Sequence, residues 1–311
     1  MNLFPYTLDN KRYHTYNYFL KTKYHHKIAK VSLNAGFTCP NRDGTCGTGG
    51  CIFCSQSGSG DFAGHVYDSL QKQFDDISSI MRNKWPHCQF IAYFQANTNT
   101  YASIERLKRT FEPFINKKDV VGIAIATRPD CLSEEICDYL YELSLKCDLY
   151  IELGLQTIHD QTGQFIHRGH NYQCFVNAVQ RLRKRHISIC VHIINGLPYE
   201  TYDMMLETAK TIGQLDIQAL KIHNLFILKN TQLYQIYQQN PFPLLSREEY
   251  ISLVVDQLSY IPPHIVIERL TGDAPIDDLF EPTWSIKKVT ILNDIDKLMK
   301  EKDIYQGCHY Q

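Results

Sequence analysis

Short apolar runs alternate along this chain with longer stretches in which apolar positions recur every three to four residues. The runs Ile28–Ala35, Gln89–Gln95, Val120–Ala126, Asp148–Leu155, Ile187–Ile194 and Ile217–Leu225 are rich in Val, Ile, Leu or aromatics and predict β-strands. Between them Tyr67–Lys84, Ser103–Phe114, Ser133–Lys146, Tyr172–His186 and Thr201–Gln214 predict amphipathic helices. Ser133, followed by Glu134 and Glu135, suits an N-cap with an acidic first turn, and Thr201 suits the start of the next helix. Strands in series with helices between them predict an α/β fold on a parallel sheet, either a partial or complete barrel or a doubly wound sheet. Past Asn240 the pattern changes to a PFPLL turn, a helix near Arg247–Leu258, the segment IPPHIVIERL and a last helix near Ser285–Glu301. The expected organisation is a basic, aromatic N-terminal arm over 1–27, a core barrel over 28–240 and a C-terminal extension over 241–311 that closes over the barrel.

With 311 residues, 44% hydrophobic and 21% charged, the chain can bury a large core. It carries no charged-then-apolar leader and no apolar run near ~18 residues, so the expected location is the cytoplasm, with no membrane partner. In that setting Cys88, Cys131, Cys137, Cys147, Cys174, Cys190 and Cys308 read as small hydrophobes without chemistry. The net charge of −1 gives no global sign of nucleic-acid binding, but its placement is uneven. Between Asp9 and Asp43 there is no acidic residue, while Lys11, Arg12, Lys21, Lys23, Lys27, Lys30 and Arg42 interleave with Tyr13, Tyr16, Tyr18, Phe19 and Tyr24. Two readings stand equal: lysines that track a phosphate backbone beside rings that stack on unpaired bases, or an arm packed on the domain with solvated lysines. The cluster Arg181 to His186 ends a helix and complements its dipole, away from any active site.

Chemistry concentrates in FTCPNRDGTCGTGGCIFCSQSG, where Cys39, Cys51 and Cys54 share one Gly-rich loop after the first strand. Three thiolates in such a loop can hold an iron–sulfur cluster or zinc. If Cys46 were a fourth ligand, the site would instead be a closed electron-transfer cluster or a structural zinc. Polar groups also fall at successive strand ends: Gln95 to Thr100, Thr127 to Asp130, Glu152 to Gln156, Asn195 to Pro198, and His223 with Asn224. Barrel loops at that end converge on one mouth. Turns and caps explain about half of these residues, but not Glu152 and Gln156 inside the apolar pattern YIELGLQT.

The segments FTCPNRDGTCGTGGCIFC, GSGDFAG, YFQANTNTYA, ATRPDCL, ELGLQT, FIHRGH, HIINGLP, KIHNLFILKNT and ERLTGDAP together resemble the radical S-adenosylmethionine (SAM) superfamily. The likeness is to the branch related to the elongator catalytic subunit that includes the YtqA/YhcC-type proteins. The resemblance implies a partial (βα)6 TIM-like barrel with a C-terminal α/β extension, and a [4Fe–4S] cluster on Cys39, Cys51 and Cys54 with one iron open to SAM. It implies an enzyme that cleaves SAM reductively to a 5′-deoxyadenosyl radical. Residue by residue, Gln156 and Arg168 match the SAM-contacting pair, Arg168 forking onto the SAM carboxylate. Glu152 and the turn of Gln95, Asn97 and Thr98 match contacts to the sugar or amino group, and Phe53 the ring that packs on adenine. His192 matches a ribose contact, with a satisfied core histidine as the equal alternative. The absence of a later CxxC motif implies no auxiliary cluster. The implied substrate is tRNA, at the C5 side chain of the wobble uridine, with conversion of a carboxymethylaminomethyl to an aminomethyl group. A low-potential donor such as flavodoxin or ferredoxin would supply electrons; DNA is not an expected partner. No acetyltransferase region follows, so acetyl-CoA chemistry does not carry over. Arg269, Asp273, Trp284, Lys287 and Lys288, with Lys21, Lys23 and Lys27 of the arm, are the weaker candidates for substrate contacts. Small-molecule or protein substrates, or a non-catalytic zinc or iron–sulfur module, are the alternatives.

Overall fold

The computed structural model describes residues 4, 6, 10–58 and 60–310; residues 1–3, 5 and 7–9 of the expected arm lie outside the described residues. The strands are β1 (Ile28–Leu33), β2 (Gln89–Phe94), β3 (Val120–Thr127), β4 (Asp148–Gln156), β5 (Ser188–Asn195), β6 (Ala219–Asn224), β7 (Ile227–Leu228), β8 (Val266–Arg269) and β9 (Leu279–Glu281). The helices are α1 (Tyr16–Tyr24), α2 (Leu70–Lys84), α3 (Ile104–Phe111), α4 (Glu134–Ser144), α5 (Asp160–Phe165), α6 (Tyr172–Arg183), α7 (Tyr202–Gly213), α8 (Gln232–Gln239), α9 (Arg247–Tyr260) and α10 (Lys288–Glu301).

Among the described residues one sheet of seven parallel strands runs in the order β1-β2-β3-β4-β5-β6-β8. β1 and β8 are its edge strands, β8 carrying an isolated bridge to Thr15, yet Lys30 of β1 reaches Glu268 of β8 at 2.6 Å, so the sheet curls into an incomplete barrel. Strand alternation sorts the side chains. Val31, Leu33, Phe94, Ile125, Ile151, Leu153, Val191 and Ile222 face outward and are buried under Phe74 of α2, Leu107 of α3, Leu140 of α4, Phe175 of α6 and Val254 of α9. Burying each such aliphatic side chain contributes roughly 1.5–3 kcal/mol. The opposite positions, Lys30, Tyr93, Glu152, His192, Lys221 and Glu268, line the lumen.

The helix starts follow from capping. The Ser133 and Thr201 hydroxyls accept from the backbone N–H groups of Ile136 and Met204. Ser246 and Glu249 form a reciprocal capping box at α9. The basic cluster is structural, as expected: Arg185 pairs with Glu134 and Asp138, each at 2.6 Å, and Arg183 with Asp216 at 2.9 Å.

Packing decides one open alternative and changes two expectations. The described part of the arm packs on the domain, the second of the two readings, and forms α1, which bridges the sheet edges at the strand-start end of the barrel. There Leu20 packs with Ile28, Ile91 and Tyr150, while Tyr16 and Phe19 pack with Cys190, Ala219 and Val266. Those rings therefore close the barrel base and cannot stack on bases. Second, IPPHIVIERL contributes β8, a seventh strand of the main sheet, so the C-terminal segment completes the core as well as covering it. Third, α8 and the antiparallel pair β7·β9 form a small layer beside the mouth, built on a separate cluster of Ile52, Ile166, Leu197, Leu225, Ile227, Leu233 and Phe242.

Candidate functional site

The cysteine loop leaves the C-terminal end of β1 and folds over the lumen. Asn41 organises it: its amide donates to the Cys51 Sγ at 3.6 Å and to the His167 carbonyl, and its own carbonyl accepts from Gly50 N at 2.8 Å. A Cβ at Gly47 would stand 2.3 Å from Asn41 Oδ1, so only glycine lets the chain pass so near. Cys39, Cys51 and Cys54 all line one cavity of about 1110 Å³ at the strand C-terminal ends. Cys46 is exposed, outside that lining, with its sulfur 3.8 Å from Arg128 Nη2. A hydrogen bond from Cys54 lowers the Cys51 thiol to about 7 against the opposing effect of burial, with help from Arg128, Asn41 and Arg168. The same shared proton, with burial, raises Cys54 well above the usual thiol range. Among the described residues no three His, Cys, Asp or Glu side chains stand at metal-binding distance, so the three thiols share a wall without forming a closed cage. The donor set fits an iron–sulfur cluster: three soft sulfurs, nearby guanidinium groups that favour thiolate, and the fourth cysteine outside the cavity.

Phe53, Gln95, Asn97, Thr98, Gln156, Arg168 and His192 line the same cavity, as does Glu152. Two of them, Asn97 (φ 59°) and Gln156 (φ 67°), have left-handed backbones that disfavour a side chain. At Gln156 the β4–β5 register also shifts. Such strain persists where the surroundings impose it, here at a ligand-lined turn.

Arg168 differs from a free carboxylate clamp. It is 1% exposed; its Nε donates to the His170 carbonyl (2.8 Å), its Nη1 to the carbonyls of Leu155 (2.9 Å) and Thr157, and its Nη2 to Asp160 (3.0 Å). At least four of its five donors thus tie the end of β4 to the following loop. Glu152, expected against the sugar or amino group, is likewise engaged: it takes Lys30 Nζ (2.6 Å), the Tyr93 hydroxyl (2.6 Å), His192 Nε2 (2.8 Å) and Lys221 Nζ. Lys30 also bonds Glu268 at 2.6 Å, so two ammonium groups and two carboxylates form a neutral square at the cavity floor. Burial opposes ionisation of Glu152, but Lys221, Lys30 and His192 outweigh it and hold the carboxyl well below its usual range. Sequence reasoning missed Lys30, Tyr93, Lys221 and Glu268. The criterion that selected Glu152, a charge inside an apolar strand, also selects KVSL, ALKIHN and VIER.

The weaker candidates divide. Arg269 and Asp273 line the cavity and pair at 3.3 Å, and Lys288 donates to Asp273 at 2.8 Å. Lys287 is exposed and outside the lining. Trp284 is no substrate platform: its indole donates to the Leu245 carbonyl at 3.0 Å and packs on Tyr250. Lys23 is held by Asp148 (2.9 Å) and Tyr150 (3.0 Å), and Lys27 sits 4.8 Å over the Trp85 ring at the lower edge of the cavity. Of the three arm lysines, Lys21 is exposed in the last turn of α1.

The radical SAM superfamily profile matches residues 39–212, and the radical SAM C-terminal domain profile residues 217–301. The chain is 50% identical over 310 residues to YtqA of Bacillus subtilis (strain 168), covering 100% of this chain and 96% of YtqA. A tRNA uridine(34) acetyltransferase of Methanocaldococcus infernus is 24% identical over 195 residues, 62% of this chain and 35% of that protein. In fold, the chain matches the archaeal Methanocaldococcus infernus Elp3 lacking residues 1–46 with a TM-score of 0.67 at 18% identity, over 90% of this chain and 64% of the other. No helix among the described residues is long and apolar enough to cross a membrane. The cysteine loop over an open parallel barrel, with these likenesses, places the chain in the radical SAM superfamily, in the branch similar to the elongator catalytic subunit.

Proposed function

We propose that this chain is a radical SAM enzyme that modifies tRNA at the C5 side chain of the wobble uridine, converting a carboxymethylaminomethyl to an aminomethyl group. The observation that carries the reading is one cavity of about 1110 Å³ with three thiols in its upper wall and a fixed array of charges at its floor. That volume exceeds a single drug-sized ligand site and suits SAM together with a substrate side chain. Cys39, Cys51 and Cys54 would hold the [4Fe–4S] cluster, which supplies the electron for reductive cleavage of SAM. A low-potential donor such as flavodoxin or ferredoxin would replenish it.

The protein's own residues bind and orient. Gln95, Asn97, Thr98 and Gln156 offer polar groups at the level of the cysteine loop, and Phe53 an aromatic face for adenine. Arg168 sets the shape of the β4 turn through its carbonyl bonds, so it supports Gln156 without forking onto a ligand. Arg269, with Asp273 and Lys288 beside it, suits the carboxylate of a substrate side chain at the mouth. The relative named for tRNA uridine(34) supports a tRNA substrate, and the short shared length supports carrying over only the radical SAM portion. Comparing tRNA nucleosides from cells with and without the protein tests the reading. Loss of the aminomethyl-type nucleoside and accumulation of the carboxymethylaminomethyl form is expected. An unchanged nucleoside profile overturns the tRNA reading in favour of a small-molecule or protein substrate.

A further inference from the structure

His192 stands on the lumen face of β5 with one ring nitrogen committed, its Nε2 lying 2.8 Å from Oε2 of Glu152. Glu152 is ionised by Lys30 and Lys221 and can only accept, so the proton between them is carried by Nε2. Burial, with Lys221 alongside, keeps the imidazole neutral. This assigns the Nε2–H tautomer and makes Nδ1 the acceptor nitrogen. The His223 ring lies 5.4 Å away on β6, and among the described residues its buried Nε2 has no hydrogen-bond partner. Both rings line the cavity. A buried ring nitrogen without a partner is rare in folded proteins, and His223 Nε2 belongs to a ring that borders a ligand-sized space. His192 pairs in register with Gly154, and Ile193 with Gln156, so His192 stands one strand over from the start of the β4 turn.

We propose that Nδ1 of His192 accepts the N–H of an amine on the substrate side chain and holds that amine in its neutral form. This rests on the tRNA reading above, whose side chain carries a secondary amine. The groups facing the position are Lys30 of β1, Tyr93 of β2, Glu152 of β4, Lys221 and His223 of β6, and Glu268 and Arg269 of β8. Both carboxylates are already taken by Lys30 and Lys221, and Lys221 pairs with His192 in register. A further cation there meets Lys221 and Arg269 without a free counter-charge, which disfavours an ammonium. A neutral amine keeps its nitrogen lone pair, and that lone pair stabilises loss of a hydrogen atom from the adjoining carbon. The bound cofactor would supply the radical chemistry that takes a hydrogen atom from that carbon, while the N–H would stay on nitrogen against His192.

Two substitutions separate this from a purely structural role. His192→Gln places an N–H where Nε2 was and keeps Glu152 satisfied, but removes the Nδ1 acceptor. His192→Asn places an oxygen near Nδ1 and loses the bond to Glu152. With reconstituted enzyme and tRNA from cells lacking the protein, His192→Gln is assayed for SAM affinity, 5′-deoxyadenosine formation and nucleoside product. Its nucleoside product should fall roughly tenfold to a hundredfold, and His192→Asn should recover part of that loss. The reverse order, Gln near wild type and Asn impaired, overturns the proposal, as does a tenfold loss of SAM affinity in His192→Gln, which would make His192 a cofactor contact. A wild-type enzyme inactive on tRNA fails the proposed function instead. In that event ¹⁵N-histidine spectra of the full chain still decide, since a His192 found charged or as the Nδ1–H tautomer at neutral pH contradicts the acceptor role.

Discussion

Glu152 shows most clearly how one side chain ties stability to the site. It is 1% exposed and receives Lys30, Lys221, Tyr93 and His192, so its removal leaves two lysines with the single counter-charge of Glu268. Breaking a buried pair from one side typically destabilises by about 3–5 kcal/mol. Glu152→Ala should lower stability by that order in denaturant titration; a change below about 1 kcal/mol would mean that water or rearrangement satisfies the lysines. The pH dependence has a fixed sign. A carboxyl held below its unfolded value contributes stability that is fully present above about pH 4.3 and is lost as pH falls through its folded value. Wild type should therefore lose more stability than Glu152→Gln on acidification below about pH 4.3. Arg168 acts at the same scale through neutral carbonyls. Arg168→Lys keeps the charge but not the fork, and should cost about 1.5–3 kcal/mol in thermal or denaturant unfolding. If stability is unchanged while SAM affinity drops, the guanidinium contacts SAM after all.

Among the elements, α1 is where the sequence left two readings open and packing chose between them. A run of lysines and aromatics is the same string whether the rings stack on bases or plug a barrel, and the choice depends on which apolar surface lies within reach. Here the lumen base offers Ile28, Ile91, Tyr150, Ala219 and Val266, so the rings go inward. Replacing Lys21, Lys23 and Lys27 together by Glu should leave the salt dependence of tRNA binding within about one charge of wild type, since a phosphate contact contributes about 0.9 to the slope and, among the described residues, Lys23 and Lys27 are engaged by protein partners while Lys21 is not. A slope reduced by two or more would return the arm to the RNA surface. The six leading strands and the caps at Ser133 and Thr201 were legible because period and capping chemistry are local. β8 was not: four residues, Val266–Arg269, carry too little pattern, and their strand identity comes from β6. The cavity placement of Cys39, Cys51 and Cys54 was legible from loop chemistry. The saturation of Arg168 and Glu152 was not, because partners such as Asp160 and Lys221 come together only once the barrel closes.

At the scale of the molecule, the C-terminal part is joined to the barrel by β8 in the sheet and by Tyr250, Val254, Leu258, Ile291 and Ile295 in the main core. A chain ending at residue 240 should lose the cooperative unfolding transition, because it exposes that core and strips β6 of its neighbour. A truncated chain with native-like cooperativity would instead make 241–311 a separable unit. The central claim is that an open three-cysteine site in the barrel mouth drives SAM cleavage, with Cys46 outside it. The most direct test is anaerobic reconstitution of wild type and of Cys39→Ala, Cys46→Ala, Cys51→Ala and Cys54→Ala, with iron content and 5′-deoxyadenosine measured on each. Loss of the iron–sulfur chromophore and of SAM cleavage in the Cys39, Cys51 and Cys54 variants, with both retained in Cys46→Ala, is the predicted result; loss of both in Cys46→Ala would contradict it.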